Sequence, residues 1–159
     1  GAHTSGGGEV GSVALKIAAA KVGLGFTQAV ALGVLCNALV CLAVWMTYSA
    51  RSTTDKIAAV ILPVSAFVAA GFEHSVANMY YLPYGLLIKD MDPSFAAVAG
   101  PDLQGLTWAS LLRNLLPVTL GNILGGGVLV AAVYWFIYLR AVAGAPPEPP
   151  RGPRRIAGD

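Results

Sequence analysis

The 32-residue run IAAVILPVSAFVAAGFEHSVANMYYLPYGLLI, residues 57–88, sets two ionisable side chains next to each other, Glu73 and His74, in the middle of apolar sequence. A membrane-spanning helix needs about 20 mostly apolar residues. This run is too long for one straight crossing and too short for two. Pro63 and Gly71 precede the pair and Pro83 follows it, and both residue types interrupt helices. The run therefore reads as two half-helices with a non-helical break near residues 63–71. Backbone of that kind survives at membrane depth only where protein or a water-filled cavity surrounds it, so the break points towards a pore.

The flanking sequence agrees with a membrane setting. Hydrophobic residues make up 56% of the chain and charged ones 11%, against roughly 25% charged in a soluble domain. No charged side chain occurs from Val22 to Ala50 or from Asn114 to Leu139. Each stretch is long enough to cross a bilayer with room for tilt. The reading is an all-α integral membrane chain with three transmembrane spans, about 26–48, 57–88 (broken) and 114–138. Residues 1–25 lead in as a Gly-rich loop and a short helix over 13–21. A polar turn at 49–56 can cap the next helix through Ser52, Thr53 or Thr54, with Asp55 in its first turn. A polar loop, KDMDPSFAAVAGPDLQG, separates the second and third spans. Residues 141–159 form a Pro- and Arg-rich tail with too little apolar area to fold alone. The opening, without a starting Met or a signal pattern, looks cut from something longer.

Arg140, Arg151, Arg154 and Arg155 in the tail, with Arg51 and Lys56 in the short turn, place that side in the cytoplasm, opposite the acidic loop carrying Asp90, Asp92 and Asp102. A small positive excess confined to one end gives no nucleic-acid surface. Cys36 and Cys41 would stand about 140° apart on a helix, which argues against a disulfide or a shared metal and for two small packing residues. His3, the other histidine, falls in the loose opening, so no multi-histidine metal site can form.

An ionisable residue within a span costs roughly 2.5–3.5 kcal/mol on insertion scales, so Glu73 and His74 should face protein or water. With the helix resuming near Phe72, Glu73 would sit in its first turn, where the dipole favours a carboxylate. The spacing of four then puts His74 and Asn78 on one face. The plainer reading is that these polar groups only tie helices together. Ala29, Gly33, Asn37 and Cys41 recur every four residues as a small-residue stripe, and Gly121 and Gly125 form a GxxxG pair beside Asn122. Helix packing is the expected role of both.

The runs CNALVCLAVW (36–45), GFEHSVANM (71–79) and GNILGGG (121–127) occur in an order and spacing that resemble the formate/nitrite transporter family, over roughly residues 13–140. The resemblance implies a six-span, aquaporin-like fold of two inverted repeats, of which this chain would hold one, assembled as a homo-pentamer in the cytoplasmic membrane with a pore through each protomer. It makes His74 the central pore histidine, Asn37 and Asn78 its polar neighbours, Lys21 and Glu73 a pair, and Phe67 and Val40 the two apolar constrictions. Partners would be small anions such as formate or nitrite, and membrane lipid. No cofactor or metal is implied. On this reading Lys21 draws the anion in and His74 donates a hydrogen bond or proton, so that removing Lys21 would weaken uptake and leave assembly intact. The stretch NMYYLPYGLLIKD (78–90) is more similar to formate channels than to nitrite ones; nitrite, hydrosulfide and lactate suit the same chemistry. A water or glycerol pore is the rival class, but its paired Asn-Pro-Ala signature is missing. An intramembrane enzyme using Glu73 and His74 would lack a nucleophile or metal set.

Overall fold

Reciprocal caps fix two of the helix starts. Ser52 Oγ accepts from the Asp55 N–H at 3.1 Å while Asp55 Oδ2 accepts from the Ser52 N–H at 3.1 Å. Thr107 and Ser110 repeat the exchange, satisfying amide donors that a helix start would otherwise leave free. The computed structural model describes residues 1–100 and 102–140, and its regular structure is helical throughout. Short 3-10 turns at Ala2–Gly8 lead into α1 (Glu9–Val22), α2 (Phe26–Thr47), α3 (Thr53–Ala69), α4 (Ser75–Met91), the short α5 (Pro93–Ala99) and α6 (Trp108–Leu139). α6 widens into π-type turns over Ile123–Val130 and Trp135–Leu139. The tail at 141–159 and its expected cytoplasmic placement lie outside the described residues.

By length and composition, α2 and α6 can each cross a membrane. α3 and α4, at 17 residues each, span about 26 Å, short of the roughly 30 Å hydrocarbon core. Pro63 does not break α3, which continues through it to Ala69. The interruption therefore falls at residues 70–74, the downstream edge of the expected region, and its cause is Gly71. At φ +66° this glycine takes the left-handed position that ends helices. Its N–H bonds Val68 O at 3.1 Å, and the Phe72 N–H bonds Phe67 O at 3.0 Å, the paired closure of a Schellman motif.

Two other stretches differ from the sequence reading. Helix α1 begins at Glu9, inside the expected loop, and packs antiparallel along α4, with Ala14 and Leu15 on Ile88 and Ala18 on Leu82 and Leu86. The polar loop after the second apolar region contains α5, because Asp92 caps it at the Phe95 N–H and Pro93 supplies a ready-made first turn. The opening is also fastened to that loop. His3 Nε2 lies 3.1 Å from Asp92 Oδ2 and meets Phe95 edge-on.

The Phe95 N–H, the Ser94 hydroxyl and the His3 ring together pull the Asp92 carboxyl down from its ordinary 3.8 to about 2. A carboxyl lowered by folding contributes stability above its unfolded value and loses it as pH falls through the folded one. Amide protection over α5 is accordingly expected to fade between about pH 4 and pH 2, and Asp92→Asn should abolish that step in a hydrogen-exchange series. Persistence of the step in the variant would remove Asp92 as its cause.

α2 runs parallel to α6, and their small residues meet. A methyl group at Gly121 would run into the Val30 carbonyl oxygen, and one at Gly125 into the Val34 carbonyl oxygen. Because lipid offers helices no hydrophobic drive to associate, such close backbone contact carries much of the packing. Gly121→Ala or Gly125→Ala should each cost about 1–3 kcal/mol through overpacking, read as a lowered melting point in detergent. An unchanged melt in both variants would contradict the close approach.

Candidate functional site

The interruption leaves a run of backbone groups that need partners at depth. The Glu73 N–H reaches Leu32 O on α2 at 3.4 Å. His74 is extended (φ −118°, ψ 120°) and stands at the N-cap position of α4 without capping it through its side chain. The carboxamide of Asn122, from α6, takes over instead. Its Oδ1 accepts from the Ser75 N–H at 2.9 Å, and its Nδ2 donates to Glu73 O at 3.0 Å and to Gly33 O at 2.9 Å. Asn37 Nδ2 in turn donates to Asn122 O at 2.6 Å, where α6 enters its first π-type stretch.

Glu73 thus precedes α4 rather than lying in its first turn. It is 3% exposed. Oε1 accepts from Lys21 Nζ at 2.8 Å, and Oε2 accepts from Asn78 Nδ2 at 2.6 Å. Asn78 Nδ2 also donates to Asn114 Oδ1 at 2.8 Å, and Asn114 Nδ2 donates to Lys21 O at 2.8 Å. The hydrogen bonds close into a ring that starts at the ammonium of Lys21 and returns to its carbonyl. Lys21 is the penultimate residue of α1, beyond the reach of the helix's own ladder, and its carbonyl accepts from Asn114 as well as from the Leu24 N–H at 3.4 Å. A buried ion pair is tolerable only when its remaining lone pairs and protons find partners in this way.

His74 sits outside the ring. Among the described residues its imidazole has no hydrogen-bond partner; Phe67 stacks beside it, ring centroids 6.0 Å apart and 24° from parallel. A cavity of about 330 Å³ opens here, walled by Lys21, Phe67, Gly71, Phe72, His74 and Tyr81, among others. Lys21 Nζ lies 5.9 Å from the Tyr81 ring centroid, within reach of a cation–π attraction. A larger cleft of about 580 Å³ lies beside Lys89 and Asp102 but contains neither the histidine nor the buried pair.

Of the residues singled out from sequence, His74, Lys21 and Phe67 line one cavity. Glu73 stands behind it, paired to Lys21. Asn78 is fully buried and turns its amide to Glu73 and Asn114, so it shares no cavity face with His74 despite the spacing of four. Asn37 spends its amide on α6, and Val40 is half-buried on α2 away from the cavity wall. Sequence reasoning missed Tyr81 and the two asparagines of α6. Asn114 was read as the first residue of an uncharged run and Asn122 as a neighbour of packing glycines. Two asparagines within an otherwise apolar, uncharged run are the signal that the sequence offers.

The sequence model described as formate/nitrite transporter matches residues 1–136. The chain is 46% identical over 145 residues to the formate channel FocA of Escherichia coli K12, covering 88% of this chain and 51% of that one. It is 44% identical to a probable formate transporter of Methanothermobacter thermautotrophicus (78% and 41% covered) and 37% identical to formate-nitrite transporter 3 of Toxoplasma gondii (79% and 23%). Among solved structures it is similar to a pentameric formate channel with formate bound, at TM-score 0.77 and 49% identity over 86% of this chain and 56% of that one. An FNT family ion channel gives 0.67 and 36%, over 85% and 51%. The chain spans about half the length of its formate-channel relatives or less.

Proposed function

The chain belongs to the formate/nitrite transporter family, and on that footing we propose that it supplies one wall of a membrane pore for small monovalent anions or their conjugate acids, formate foremost. Formate is favoured because similar proteins carry that name, including a channel with formate bound; nitrite and hydrosulfide are the competitors to test. The relatives are channels and transporters rather than enzymes.

The observation that carries this reading is the cavity at the break, where a lysine, an imidazole without a hydrogen-bond partner among the described residues, and an aromatic ring meet. A bare anion moving past the Phe67 ring loses hydration that carbon atoms cannot replace. Its neutral acid passes far more easily. Lys21 biases the entrance towards anions, and the His74 ring donates a hydrogen bond or a proton at the narrow point, so that anion and proton travel together. The arrangement in the bilayer is three crossings, α2, the broken α3 and α4, and α6, forming one of two inverted repeats. The whole protein is a multi-pass pentamer of the cytoplasmic membrane.

Uptake of labelled formate into proteoliposomes holding the whole protein, with an imposed proton gradient, tests the reading. Saturable uptake that rises with the gradient and is competed by nitrite is expected. Swelling with glycerol but not with formate would assign a neutral-solute pore instead.

A further inference from the structure

We infer that Asn122 is the positioning residue of the pore histidine, an inference that rests on the role of His74 proposed above. Three observations lead to it. The backbone immediately before His74, Glu73 O, and immediately after it, Ser75 N, are both bound by one side chain, at 3.0 and 2.9 Å. That side chain comes from another helix, is 7% exposed, and is itself anchored, since its Nδ2 also binds Gly33 O at 2.9 Å. The imidazole has no hydrogen bond of its own among the described residues, and only the Phe67 ring stacks beside it. Nothing local therefore fixes where the ring stands except the backbone that carries it.

The orientation of the Asn122 amide is not a free choice. Turned over, it would set its oxygen against two carbonyls and its NH₂ against the Ser75 N–H. It acts as a clamp with one acceptor arm and one donor arm, and His74 is the residue held between them. The buried carboxylate of Glu73 is tied separately by Lys21 and Asn78. The clamp consequently controls the histidine more than the ion pair.

Groups that act on a passing solute must be held close to their working geometry, and a misplacement of about 1 Å costs up to roughly a hundredfold. Asn122→Ala in the whole protein, reconstituted in liposomes, is expected to raise the KM for formate about tenfold and to displace the pH profile of uptake. Because the Ser75 N–H and Glu73 O lose their buried partner, a lower yield is expected, and uptake is compared per amount of assembled protein. The decisive comparison is a double-mutant cycle with His74→Ala. If Asn122 works through His74, adding Asn122→Ala to His74→Ala changes neither KM nor the pH profile further. An equal loss at every pH, repeated in the His74→Ala background, would mark Asn122 as a packing residue and overturn the inference.

Where Asn122→Ala fails to assemble, Asn122→Asp keeps the shape and the acceptor for Ser75 while losing the donor arm. It is expected to displace the pH profile as well, and a wild-type profile there overturns the inference too. The two claims fail in different ways. A His74→Ala protein with an unaltered pH profile sinks the proposed pore role and this inference with it. A changed profile in His74→Ala alongside an unchanged one in Asn122→Ala sinks only the clamp.

Discussion

His74→Ala is expected to flatten the pH dependence of formate uptake in proteoliposomes while leaving the yield of assembled protein near that of the parent. Removal of the ring strands no hydrogen bond among the described residues, because the imidazole makes none; it forfeits a stacked contact with Phe67. A half-exposed loss of that kind costs about 1 kcal/mol or less. The transport effect is larger. A hydrogen bond to a charged group is worth about 1.5–3 kcal/mol, or roughly ten- to a hundredfold in rate, at a point where the solute has lost its water. An unchanged pH profile, with normal rates, would leave the histidine as scaffolding.

Lys21→Met is expected to have the larger structural effect, and here the coordinates revise the sequence reading. Taken alone, Lys21 was an anion attractor whose loss would spare assembly. In the fold it is the counter-ion of Glu73, whose side chain is 4% exposed against 15% for the lysine. Deleting one partner of a buried pair leaves the other uncompensated and costs about 3–5 kcal/mol. Far less assembled protein should be recovered from membranes. Glu73→Gln added to Lys21→Met removes the stranded charge, and a neutral amide can still accept from Asn78. The double variant should therefore regain assembly, measured as pentamer on size-exclusion chromatography, without regaining anion uptake. Full assembly of Lys21→Met alone would mean that the pair contributes nothing to stability.

The helical class and both uninterrupted long helices were legible because two uncharged runs exceed the length of a bilayer crossing. The interruption was legible in kind, since Glu73 and His74 cannot sit in a lipid-facing helix. Its place was not. The sequence reading spreads the break from Pro63 to Gly71, yet a proline removes one donor and can be carried inside a helix, whereas Gly71 takes a left-handed conformation that α3 cannot continue through. The short α5 was hidden among turn residues, one of which, Asp92, is its cap. Pairing of Lys21 with Glu73 was available only by family resemblance, since 52 residues separate them and no periodicity reaches that far. Asn78 shows the limit of helical spacing as a guide. Four residues after His74 it should share a face, but His74 precedes the first helical turn, so the rule of equal faces does not apply to it. Asn122 is marked in the sequence only as a polar residue in an apolar run; its role is hidden by the 47 positions that separate it from the amide that it satisfies.

In the proposed pore, the hydrogen-bonded ring through Lys21 has a kinetic meaning. A bare ammonium in a narrow passage would hold a formate ion tightly and release it slowly. Here the visitor must compete with a resident carboxylate 2.8 Å from the same nitrogen, so its grip is shallow from the outset. Conduction asks for a stop that is easy to enter and easy to leave, and a lysine already engaged makes for a short dwell.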